Sequence, residues 1–112
     1  MEINKIVREG IAVIELSGRC EIQDYDNLNE HLNLIVESGE KNLVLDLTAL
    51  NFINSAGLRV MILTVQKMGG AGGRVVFCNV NETIEKLFSI TGYAPILKRF
   101  DSIEAATAHL KS

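Results

Sequence analysis

Ser55 is the residue of this chain whose neighbourhood points most directly to chemistry. It lies in Asp46-Leu47-Thr48-Ala49-Leu50-Asn51-Phe52-Ile53-Asn54-Ser55-Ala56-Gly57-Leu58. Leu43-Val44-Leu45, just upstream, reads as a strand buried on both faces, as in parallel sheets. A helix then opens at Asn54-Ser55. The hydroxyl therefore falls beyond the carboxyl end of a strand, where open α/β sheets place ligand and partner sites. Two readings of Asn54 and Ser55 follow. As N-cap residues they satisfy orphan N–H groups of the helix. As a phosphoacceptor, Ser55 would set its phosphate against free helix amides and the positive end of the helix dipole.

Other chemistry is weaker. Gly69-Gly70-Ala71-Gly72-Gly73 invites a nucleotide-binding reading, but Gly69 leads to Arg74 and no Gly-Lys-Ser/Thr follows. A dinucleotide fingerprint needs a strand before the glycines and a helix after, the reverse of the order here. The cluster reads as a helix-to-strand turn needing positive φ. His31 and His109 have no acidic or thiol neighbour at ligand spacing and read as surface histidines, so no metal or cofactor is expected. Ser55 has no Gly-x-Ser-x-Gly elbow. Glu21, Asp24 and Asp26 suit the start of a helix better than an acid/base pair. An enzyme is not expected.

The elements that must position Ser55 follow from periodicity. Glu2–Arg8 and Ile11–Leu16 read as a hairpin around Glu9-Gly10, then a polar loop holds Arg19, Cys20 and Glu21. Asp24 is the expected cap of a helix carrying Leu28, Leu32, Ile35 and Val36 and ending near Ser38-Gly39. A strand over 41–47 and a loop returning Leu50, Phe52 and Ile53 to the protein precede a second helix from Ser55 to about Met68. Arg74–Cys78 is a strand, and Asn81 caps a third helix closed by Gly92. A last strand is expected over Ile96–Arg99, and Asp101 with Glu104 as a capping box for a fourth helix from Ser102.

The resulting β-β-α-β-α-β-α-β-α order predicts an α/β fold with a mixed, mostly parallel sheet and an antiparallel first strand at its edge. The expected core includes Leu45, Leu58, Ile62, Val76 and Leu87. In the second helix, Leu58, Met61, Ile62, Val65 and Met68 form an inward stripe, and Val60 and Leu63 lie off it. Either those two are partly exposed and form a protein-binding surface beside Ser55, or the helix is covered on most sides.

With 112 residues, the chain is expected to form one domain over 1–112. A net charge of −3 with scattered Lys and Arg disfavours a nucleic-acid partner or a polybasic membrane patch. No apolar run approaches the roughly 20 residues of a membrane span. The start of the chain lacks a signal-peptide pattern, so a cytoplasmic site and reduced Cys20 and Cys78 are expected.

The segment from Asp46-Leu47 to Asn54-Ser55-Ala56-Gly57-Leu58 resembles the signature of STAS domains, specifically the bacterial anti-sigma factor antagonists: a strand ending Asp-Leu, a loop, then Asp-Ser-Ser/Ala-Gly-Leu opening a helix. Leu16-Ser17-Gly18 with Glu21, Gly72-Gly73 before a strand, and Leu87-Phe88 with Thr91-Gly92 are also similar to that family. Asn54 stands where the family usually has aspartate, Glu21 where aspartate is common, and Arg59 where the residue is often small. The resemblance implies a STAS fold and a non-enzymatic partner switch. Unphosphorylated Ser55 would leave the chain bound to an anti-sigma factor that is also a serine kinase, freeing a sigma factor. Phosphorylation would release it, and a phosphatase would reset it. The implied contact residues are Glu21, Asn54, Ala56, Gly57, Leu58, Arg59, Val60 and Leu63. STAS-like domains also serve as non-phosphorylated subunits of transport or stress-sensing assemblies, and that reading stays open beside the first.

Overall fold

Continuous apolar runs in the middle of the chain form neighbouring parallel strands, as their lack of alternation requires. In a computed structural model, which describes residues 1–112, the order is β1 (Glu2–Arg8), β2 (Ile11–Cys20), α1 (Tyr25–Glu37), β3 (Asn42–Ile53), α2 (Ser55–Gly70), β4 (Arg74–Cys78), α3 (Glu82–Ile90), β5 (Arg99–Phe100) and α4 (Ile103–Lys111). The five strands lie in sequence order across one sheet. β1 is antiparallel to β2 at the edge and the other pairs are parallel, as expected. Glu9 and Gly10, both at positive φ, turn the hairpin.

The sheet is covered unequally. On one face Ala12, Ile14, Leu16, Leu43, Leu45, Val75 and Phe77 meet the apolar sides of α1, α2 and α3 in the larger core. On the other, Val13, Val44, Val76 and Cys78 meet Ala106 and Leu110 of α4. Both thiols are free and buried. Burial, with the Asp46 carboxylate nearby, pushes the Cys78 thiol up to about 12.

Several boundaries differ from expectation, each for a local reason. The expected loop after Leu47 is strand: β3 runs to Ile53, and β2 runs beside it to Cys20, a fully buried residue rather than a member of a polar loop. The two strands stay paired because β3 takes up two extra residues. Glu15 faces Asp46 but Ser17 faces Ala49, and Gly18 faces Leu50 but Arg19 faces Phe52. Asp46 fastens the first irregularity, its carboxylate accepting from the Thr48 N–H at 3.0 Å and the Thr48 hydroxyl at 2.6 Å. The bulges re-aim the side chains so that Leu47, Leu50 and Ile53 are all buried.

Asp24 does not cap α1 with its side chain. It closes a 3₁₀ turn over Ile22–Asp24, accepting from the Glu21 N–H at 2.9 Å, and that bond holds its carboxyl below the usual range. Ile96 belongs to a 3₁₀ turn over Ala94–Ile96, which holds Pro95 at its second position, where the fixed φ of proline suits a first helical turn. The last strand is therefore delayed to Arg99–Phe100. Ser102, not Asp101, caps α4, its hydroxyl accepting from the Ala105 N–H at 3.0 Å. Leu45, Leu58, Ile62 and Val76 are buried as expected, and Leu87 is only half-buried against the core.

Candidate functional site

Ser55 is the first residue of α2 and is exposed. Its position is set from three sides. The Asn54 N–H donates to the carbonyl of Cys20 at 3.0 Å, tying the helix start to the end of β2. The Asn54 side-chain oxygen accepts from the Gly57 N–H at 2.8 Å, and its carbonyl accepts from Leu58 at 3.0 Å. Gly57 then lies against the buried Cys20 and Ile53 side chains with no room for a Cβ. Asn54 is thus a true N-cap. Its cap bond leaves the Ser55 and Ala56 amides without a partner in the chain.

The cap is testable. Asn54→Ala is expected to cost about 1 kcal/mol, read as a lower urea midpoint, while Asn54→Asp should stay within about 0.5 kcal/mol of the parent because both residues cap well. An unchanged midpoint in Asn54→Ala would mean that the 2.8 Å bond adds nothing to stability.

A shallow cleft of about 350 Å³ runs from Ser55 along α2, walled by Leu58, Arg59, Ile62 and Leu63 and closed by Tyr93 beyond α3. Leu63 is 38% exposed and Tyr93 46%. Val60 is not part of this surface. It is only 3% exposed, because α2 is flanked by α1. Lys67 donates to Asn33 of α1 at 3.2 Å, and Thr64 and Val60 share that flank one and two turns earlier. Of the two residues off the inward stripe, Leu63 alone remains available.

Glu21 is half-buried at the end of β2, with its carboxylate 3.4 Å from Arg19. Arg19 in turn stacks over Phe52 at 4.4 Å from the ring centroid. Phe52 is the register partner of Arg19, two residues before the Asn54 cap. This stacked pair, at the strand ends that lead into the site, is absent from the expected contact set. Its signal in the sequence depends on the bulged register of β3. Asn81, expected as a cap for α3, does cap it and also donates to the Leu50 carbonyl at 2.9 Å, bracing the bulged strand that delivers Ser55. Ala56, Gly57 and Leu58 occupy the first turn as expected, with Gly57 and Leu58 buried and Ala56 half-buried.

The family model of the STAS domain matches residues 2–106. The chain belongs to the STAS domain family. Among its relatives is a Bordetella bronchiseptica protein provisionally named anti-sigma factor antagonist BtrV, 33% identical over 104 residues, covering 93% of this chain and 90% of that one. In fold, this STAS domain is similar to the crystal structure of an anti-sigma factor antagonist from Mycobacterium paratuberculosis, with a TM-score of 0.89 at 20% identity over 99% of this chain and 94% of that one. It is also similar to the Bacillus cell fate determinant SpoIIAA in its phosphorylated form, with a TM-score of 0.76 at 18% identity over 96% and 99% of the two chains. No helix of this STAS domain is long and apolar enough to cross a membrane.

Proposed function

We propose that this chain is a non-enzymatic anti-sigma factor antagonist that switches partners through Ser55, acting in the cytoplasm. The observation that carries the reading is the placement of an exposed serine at the first position of α2, with two unpartnered amides beneath it and an apolar cleft beside it. The relative BtrV and the Mycobacterium paratuberculosis structure both carry the name of anti-sigma factor antagonist, and SpoIIAA has been solved in a phosphorylated form.

In this reading the unmodified surface of Ser55, Ala56, Leu58, Arg59 and Leu63 docks an anti-sigma factor that is also a serine kinase. Glu21 lies at the rim, Asn54 and Gly57 shape the helix start, and Val60 supports it from inside. The kinase transfers the γ-phosphoryl group of its own ATP to Ser55 Oγ, releasing ADP and the hydroxyl proton. The phosphoserine is held in the free chain by the helix amides. In the complex the same dianion would be forced into an interface formed around a small hydroxyl, at a cost of several kcal/mol. The anti-sigma factor is released, and a phosphatase restores the hydroxyl by delivering water to phosphorus.

The test is calorimetry with the organism's own anti-sigma factor kinase. Ser55→Asp is expected to bind at least about tenfold more weakly, a difference near 1.4 kcal/mol. Ser55→Ala is expected to bind like the parent and to resist release by ATP. If all three proteins bind alike, Ser55 is a helix-start residue only and the phosphoswitch reading is wrong; constitutive co-purification with a transporter subunit would instead favour the non-phosphorylated assembly role.

A further inference from the structure

The arginines of this chain are not equivalent. Arg8, Arg19 and Arg99 each hold a carboxylate, those of Glu104, Glu21 and Glu85. Arg74 donates to the Leu110 carbonyl at 2.6 Å. Arg59 makes no ion pair and no hydrogen bond. It is also the only ionic group lining the cleft beside Ser55, whose other walls are Leu58, Ile62, Leu63 and Tyr93 with a few neutral polar groups. Ser55 and Arg59 stand one helical turn apart, so their Cβ atoms are about 5–6 Å apart on one face. Asn54, neutral in this chain, adds no carboxylate at the helix start to compete for the cation.

We propose that Arg59 alternates between two counter-ions: a carboxylate of the anti-sigma factor while Ser55 is unmodified, and the phosphate of Ser55 once it is phosphorylated. The inference rests on the switch described above and names the chemistry of its partner. A guanidinium covered by a docked protein must be matched by an anion or it becomes a buried unpaired charge. The partner's complementary patch therefore carries an acidic side chain among apolar ones. Phosphorylation supplies a nearer anion with the geometry to take two guanidinium N–H bonds. Arg59 then folds back along its own helix, and the partner's carboxylate is left facing a dianion without its cation. The cation is removed from the interface in the same event that adds the negative charge.

Phosphoserine placed at position 55 during translation allows the test without a kinase. Phosphorus NMR titration of that protein is expected to show a phosphate midpoint lower by about half a pH unit than in the same protein carrying Arg59→Gln, with Arg59→Lys between the two. In the unmodified protein, Arg59→Gln is expected to weaken binding to the anti-sigma factor kinase about tenfold in calorimetry, and Arg59→Glu further, both differences shrinking in high salt. A titration midpoint shared by the arginine and glutamine proteins overturns the proposal, and so does equal affinity of their unmodified forms. If the kinase never modifies Ser55, the switch reading fails on its own, since the titration depends on neither kinase nor partner.

Discussion

Leu45→Ala is expected to lower the unfolding free energy by about 2–5 kcal/mol. Leu45 lies in β3, the central strand of the sheet, where it faces Ile14 across one strand boundary and Phe77 across the other. All three are 1% exposed or less, and Phe77 is itself held edge-on by Phe88 of α3 at 5.2 Å between centroids. Truncation removes contacts to two strands at once. The surrounding backbone, paired on both sides, has little freedom to collapse into the gap, which places the cost in the upper part of that range. Urea unfolding reads the effect as a fall in midpoint at constant slope. A change below about 0.5 kcal/mol would remove β3 from the centre of the sheet. The same truncation at Leu87, which is only half-buried, is expected to cost less than at Leu45.

The central strands, the helices between them and two of the helix caps were legible because each rests on a short-range signal. Leu43-Val44-Leu45 and Val75-Val76-Phe77-Cys78 lack alternation because both faces are covered. Asn54 and Asn81 each precede an apolar helical pattern, and each accepts from the amide three residues on. The end of β3 was not legible for an equally physical reason. Strand burial repeats every second residue, but Leu47, Leu50 and Ile53 are buried at intervals of three. Two bulges produce that spacing, and neither leaves a mark in composition. Val60 failed differently. Helical periodicity identifies one stripe, but it carries no information about a second helix on the flank, and α1 covers that flank. Ser55 itself was placed correctly because its position depends on the cap and not on how the chain reaches it. The surroundings of Ser55 were legible only in part. Leu63 and Arg59 do line the cleft with Ser55, whereas the Arg19–Phe52 stack required the bulged pairing of β2 and β3.

Gly57→Val is expected to destabilise the fold by about 3 kcal/mol or more, and Gly57→Ala by about 1–3 kcal/mol. The sign is the informative part. Replacing a helical glycine by alanine ordinarily gains about 0.5–1 kcal/mol through the lower backbone entropy of the unfolded chain. Here a Cβ would lie 2.7 Å from Cys20 Sγ, 3.0 Å from Ile53 Cγ1 and 3.2 Å from Ile53 Cδ1. Neither neighbour is free to withdraw. Cys20 and Ile53 are both buried, and they pair with each other at the ends of β2 and β3. Relief must come from the helix, and its first turn is held by the Asn54 N–H on the Cys20 carbonyl and the Gly57 N–H on the Asn54 side chain. Moving α2 outward therefore strains the bonds that set Ser55, so the cost falls on the site as well as on the core. Cys20→Ala removes the closest of the three contacts. In that background Gly57→Ala should cost at least about 1 kcal/mol less than in the parent, a coupling within the range found for residues in contact. Urea midpoints for the two single variants and the double variant measure it. If Gly57→Ala raises the midpoint in the parent, the close approach of α2 to the ends of β2 and β3 is wrong, and with it the account of how the helix start is held.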